Sequence, residues 1–142
     1  MKATIAAARI LLGLVFFVFG LNGFLHFIPM PPPQGRTGQF MGGLAATGYM
    51  FPLIFGVQTI AGALLLVGRF VPLALVALAP IVVNIVAFHL FLAPSGLPLA
   101  LVVLLLEIFL AWSYRAAFHS VLHARDEIRV GTGREELRPR AG

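Results

Sequence analysis

Four long apolar stretches, separated by short clusters of helix breakers, organise the chain. The first covers about residues 5–28 and stops at Pro29-Met-Pro-Pro-Pro, which cannot continue a helix. The second covers about 49–67 and closes on Gly68-Arg69. The third, about 71–92, has Pro72 in its first turn, where the missing N–H breaks no helical hydrogen bond. Pro80 inside it predicts a kink near Val76–Ala77. Ala93-Pro-Ser-Gly makes a tight turn into the fourth stretch, about 97–115, which ends on the interfacial aromatics Trp112 and Tyr114. Each stretch approaches the ~20 residues needed to cross a ~30 Å hydrocarbon layer as a helix.

Two shorter segments have a different pattern. Over 37–47, Phe40, Met41, Leu44 and Ala45 recur at helical spacing among glycine, glutamine and threonine, with Gly48 as a stop. This segment is too short and too polar to cross, so a short outer interfacial helix is expected. Residues 116–130 keep Phe118, Val121, Leu122 and Ile128 among charges, as a juxtamembrane helix would, and 131–142 have the composition of a disordered tail. The expected fold is all-α. Residues 1–115 form an integral membrane four-helix bundle, with the short outer helix above it and a cytoplasmic C-terminal helical extension below.

Composition agrees with this pattern. The 142 residues are 60% hydrophobic and 11% charged, against about 25% charged in soluble domains. Between Ile10 and Tyr114 only Arg36, Arg69 and Glu107 carry charge, too few to give a water-soluble skin. The absence of cysteine excludes disulfides, thiolate metal sites and iron–sulfur clusters. The net charge of +5 does not indicate nucleic acid, because six of the ten basic residues lie at or beyond Arg115, mixed with acids. Such a terminus suits the surface of an anionic leaflet. With both termini cytoplasmic, the inner segments hold Lys2, Arg9, Arg69 and the Arg115–Arg140 group, and the outer loops hold only Arg36. Lys2 and Arg9 ahead of an apolar run resemble a signal peptide, but no small-x-small cleavage site follows, so an uncleaved first span is expected.

Candidate chemistry rests on the polar residues within the spans: Asn22, His26, Gln58, Asn84, His89 and Glu107. A charge at the bilayer centre costs on the order of 3 kcal/mol on insertion scales, so such residues usually face the bundle interior and find partners. Helical rise stacks the six in a rough column, amides and carboxyl near the middle and the two histidines toward the outer leaflet. Asn22 and His26, four apart, share a helix face, whereas Asn84 and His89, five apart, do not strictly do so. For the three amides the plainer role is hydrogen-bonding glue between helices. Glu107 is the only acid in the spans. Without a cation beside it, Glu107 is expected to be protonated or hydrogen-bonded to Gln58 or Asn84, and a protonated carboxyl could donate to a quinone or carbonyl oxygen or move a proton. His26 and His89 offer a weaker alternative, a b-type haem. His119 and His123 stand four apart but lack a third metal ligand, so no metal site is expected. Gly13, Gly20 and Gly23 on the first span and Gly56 and Gly62 on the second would let backbones approach closely, and Gly42-Gly43 suggests a hinge or tight docking.

The run Arg9-Ile-Leu-Leu-Gly-Leu-Val-Phe-Phe-Val-Phe-Gly-Leu-Asn-Gly-Phe resembles the opening of the DoxX-like membrane proteins. The second span with its Gly68-Arg69-Phe70 turn and the segment Ala79-Pro-Ile-Val-Val-Asn-Ile-Val-Ala-Phe-His-Leu-Phe-Leu are similar to small bacterial members of that family. The resemblance covers roughly residues 5–115 and implies a four-span bundle in a bacterial inner membrane with a redox setting. Some relatives are subunits of quinone-linked oxidoreductases. No catalytic motif carries over residue by residue. The resulting expectation is a redox-associated subunit that binds a quinone-like molecule. The alternative is a non-catalytic scaffold or binding module for a partner protein, a second copy of itself, or a small lipophilic ligand.

Overall fold

The computed structural model describes residues 1–122, with side chains through His119. Helix α1 spans Lys2–Leu25, α2 Gly35–Ala46, α3 Met50–Val67, α4 Val71–Phe91, α5 Leu97–Ser113 and α6 Arg115–Leu122. A single 3-10 turn, Pro94–Gly96, leads into α5. Among the described residues, four helices are long and apolar enough to cross a membrane: α1, α3, α4, and α5 with its leading turn. At 1.5 Å per residue, the 18 residues of α3 rise about 27 Å and the 21 of α4 about 32 Å.

Glycines and prolines set the boundaries. Gly68 closes α3 in the left-handed conformation at φ 76°, its N–H bonded to Leu64 O at 2.9 Å. Phe70 precedes α4 at φ 53°, a strained value for a non-glycine residue, and Pro72 follows it in the first turn. Helix α4 continues through Pro80. The first span is as long as its apolar pattern but lies three residues earlier, from Lys2 to Leu25, because His26 takes the left-handed cap at φ 52°. The short helix starts two residues earlier than expected, at Gly35, and buries no residue. Of the expected 116–130 helix, residues 123–130 lie outside the described residues, as does the 131–142 tail.

The spans form a ring. Helix α1 packs on α3 and α5, and α4 packs on the same two. Consequently α1 and α4 are diagonal to each other, as are α3 and α5, and ring neighbours run antiparallel. Leu12, Phe16, Ala61, Leu65, Leu75, Leu78, Val82, Val103 and Leu110 fill the centre. Large apolar side chains such as Leu53, Ile60, Leu73, Val83, Leu105 and Ile108 point outward and are more than half exposed. A surface of that kind is adapted to lipid rather than to water.

The most extensive contact joins α1 and α3. Its register follows from pairs whose numbers fall on one helix as they rise on the other. A methyl group added at Gly13 would lie 2.9 Å from Leu65 Cβ, and one at Gly20 would lie 2.7 Å from Thr59 N. At Gly62 it would lie 2.8 Å from Phe17 Cα, and at Gly23 it would run into the Phe55 ring. Two expected roles are not met. Gly56 and the Gly42-Gly43 pair have nothing within 4 Å of an added methyl, so neither is a point of tight docking. Gly62→Leu should therefore destabilise the bundle by about 1–3 kcal/mol or more through overpacking. Gly56→Ala should leave it unchanged or slightly firmer. Thermal melts of the detergent-purified variants check both.

Candidate functional site

Three polar side chains are buried among the described residues: Asn22, Gln58 and Glu107, at 7, 8 and 6% exposure. They differ in what they hold. In the last turn of α1, Asn22 Oδ1 accepts the Ile28 N–H at 2.6 Å, Asn22 Nδ2 donates to Ile28 O at 3.5 Å, and its own carbonyl accepts the His26 N–H at 2.9 Å. The amide thereby clamps the chain leaving the helix and supplies partners that a C-terminus lacks. His26, the residue held in the left-handed cap, is exposed. Asn22 and His26 thus form the end of α1 rather than a lining within the bundle.

His89 is part of the opposite corner of the same end. Its Nδ1 donates to Ile85 O at 2.8 Å, since a carbonyl can only accept, which leaves Nε2 as the bare nitrogen of the neutral ring. One side of the ring lies against Gly96, where an added methyl would collide with Cδ2 and Nε2. Nearby, Thr37 Oγ1 donates to Leu92 O at 3.2 Å and the Phe40 and Phe88 rings meet at 5.5 Å. Helix α2 is thereby pinned over the end of α4. His26 and His89 belong to diagonal helices, α1 and α4.

Gln58 and Glu107 also sit on diagonal helices, α3 and α5. Gln58 lies ten residues before Gly68 and Glu107 six before Ser113, which puts them about 15 Å and about 9 Å from the same end. Neither side chain makes a hydrogen bond among the described residues, and Glu107 Oε2 is wholly enclosed without a partner. The expected Glu107 hydrogen bond to Gln58 or Asn84 is not formed. An enclosed polar group without a partner costs about 1–3 kcal/mol. Such a group marks a place where the fold accepts a cost that packing alone would avoid.

Asn84 departs from the expectation of an inward face. It is exposed about two-thirds of the way along α4, beside the outward Val83. The six residues therefore do not line one cavity: three belong to the α2 end, two are enclosed further into the bundle, and Asn84 looks outward. Neither of two surface cavities, of 390 and 190 Å³, is lined by any of the six. Among the described residues no three His, Asp or Glu side chains come together as a metal site would require. His123, the second of the spaced histidines, lies outside those residues.

Along the chain Arg9 reads as a basic residue at the head of the first span, with no partner indicated. In the fold its Nη1 donates to the carbonyls of Leu65 and, at 3.3 Å, Leu66, and the guanidinium lies across Gly68. It caps the C-terminus of α3 from a neighbouring helix, where a cation is favoured. The legible signal was a glycine-terminated helix, whose last carbonyls lack intrahelical partners.

No protein-family model matches the chain, and no curated protein or solved structure is significantly similar to it. The Asn22 clamp itself is testable. Asn22→Leu should lower stability by about 1–3 kcal/mol by orphaning the Ile28 N–H. The checks are a melting curve and faster hydrogen exchange at Ile28.

Proposed function

We propose that this chain is an integral protein of a bacterial inner membrane, of the DoxX-like redox-associated kind, whose bundle binds a quinone-like molecule through Glu107. The observation that carries this reading is the enclosed Glu107 carboxyl oxygen without a partner. A neutral carboxylic acid donates one hydrogen bond, and a lipophilic carbonyl compound brings the acceptor that the protein does not supply. Gln58, also buried without a side-chain hydrogen bond, adds an amide donor in the same bundle. The resemblance to DoxX-like proteins supports the redox setting. A bound quinone would contribute two-electron chemistry, while the chain's own residues would orient its oxygen and exclude water. Binding needs the spans to part, since neither described cavity reaches Glu107. Lys2, Arg9, Arg69 and Arg115 gather at one end and Arg36 at the other, which favours cytoplasmic termini.

Extracted-lipid mass spectrometry and absorption spectra on protein purified in native-lipid nanodiscs test the reading. Wild-type protein should carry quinone near one per chain, Glu107→Leu should lose it, and Glu107→Gln should keep part of it. Against quinone-stripped wild type the leucine variant should melt no lower, since it removes a buried group that has no partner in the ligand-free protein. Wild-type protein without quinone would overturn the proposal.

A second reading, a non-catalytic scaffold, is favoured by Asn84. An amide on the lipid-facing surface without a hydrogen bond gains about 0.6–2 kcal/mol by meeting a polar group on another span, of a partner protein or a second copy. Asn84→Leu should then shift the native-mass distribution toward the monomer or release a co-purifying protein. An unchanged assembly would count against this reading.

A further inference from the structure

The end of the bundle opposite α2 carries a feature that neither reading above uses. The start of α1, the close of α3 and the close of α5 surround a cavity of 390 Å³, open to the surface and lined by Lys2, Arg9, Gly68, Ser113 and Tyr114 among others. The volume falls within the ~300–1,000 Å³ of small-molecule sites. Its polar equipment is one-sided. Lys2 and Arg9 are cations, Tyr114 brings a hydroxyl, and Arg69 and Arg115 flank the same end. The only acid among the described residues is Glu107, enclosed between α5's neighbours and about 9 Å further along the helix axis.

Arg9 turns this from a diffuse positive surface into a built site. Its Nη1 is spent on the Leu65 and Leu66 carbonyls, so the side chain is held across Gly68. A guanidinium has five N–H donors, of which Nη1 carries two, so Nε and Nη2 keep three. Those three, the Lys2 ammonium and the Tyr114 hydroxyl make no hydrogen bond among the described residues. The pre-positioned fork needs little further ordering to bind an anion. Bidentate arginine with a neighbouring lysine matches the tetrahedral oxygens of a phosphate. Gly68 is part of the fit, because an added methyl would stand 2.9 Å from Arg9 Cζ and displace the fork.

We propose that this cavity binds an anionic phosphate group, carried by a phospholipid headgroup or as free phosphate. The apolar stems of Ile5 and Ala6 line the same cavity and suit the glycerol end of a lipid. The site does not depend on any ligand at Glu107, so the two proposals fail separately.

The test is native mass spectrometry of the full chain taken from nanodiscs of mixed phosphatidylglycerol and phosphatidylcholine. Wild-type protein should retain one phosphatidylglycerol per chain in preference to phosphatidylcholine. A Lys2→Gln, Tyr114→Phe double variant, which leaves the Arg9 cap intact, should lose about fivefold of that preference at an unchanged melting temperature. Arg9→Gln should lose more, and Arg9→Lys should recover charge but not the fork. Retention that millimolar inorganic phosphate does not displace assigns the site to lipid. Displacement, with stabilisation of the lipid-stripped protein by phosphate, assigns it to the free anion. Equal retention of the two lipids by wild type and double variant, with no effect of phosphate, would overturn the proposal.

Discussion

Close backbone contact between α1 and α3 is the constraint on which the rest of the bundle depends. In a bilayer, lipid tails are as apolar as leucine, so helices gain little from hiding hydrophobic surface against one another. What remains is dense packing, and dense packing needs small residues at the points of approach. Gly13, Gly20 and Gly62 supply them, and their antiparallel register brings Arg9 over the end of α3. With that pair in place, α4 and α5 complete the ring through ordinary large side chains such as Leu75, Leu78, Val103 and Leu110. The order of importance is physical: an overpacked leucine can change rotamer, but a backbone at contact distance cannot retreat without moving a whole span.

The polar groups divide according to whether the fold uses them. Two hydroxyls in the spans are satisfied locally, Thr59 on Phe55 O at 2.7 Å and Ser113 on Phe109 O at 2.8 Å. Asn22 and His89 each close a helix end. Gln58 and Glu107 receive nothing in return for their burial, and Asn84 stands in a lipid-facing position without a partner. A protein selected only for packing would replace these three with leucine or valine at a gain. Their presence is the reason to look for a function in the middle of this bundle and on the α4 surface.

The two ends of the bundle are built differently. The α2 end is tied by neutral contacts: the Asn22 clamp, the Thr37 bond to Leu92 and the Phe40–Phe88 ring pair. The opposite end gathers four cations, of which Lys2 and Arg9 line an open cavity. The proposed orientation and the proposed phosphate site both rest on this one asymmetry of charge.

Much of this could be read along the chain. Four spans and their limits follow from length, apolar content and breaker residues, because a helix in lipid must satisfy its own backbone and a fixed thickness sets its length. The polar residues that matter were also visible as exceptions. Which way each one faces was not, because a span that is apolar all round carries no moment to indicate its inner side. Only the tertiary contacts decided that Glu107 and Gln58 are enclosed, that Asn84 looks outward, and that Asn22 and His89 serve helix ends. The role of Arg9 was equally hidden. Its partners lie 56 and 57 residues away on α3, and only the glycine-set register of the two helices brings them together.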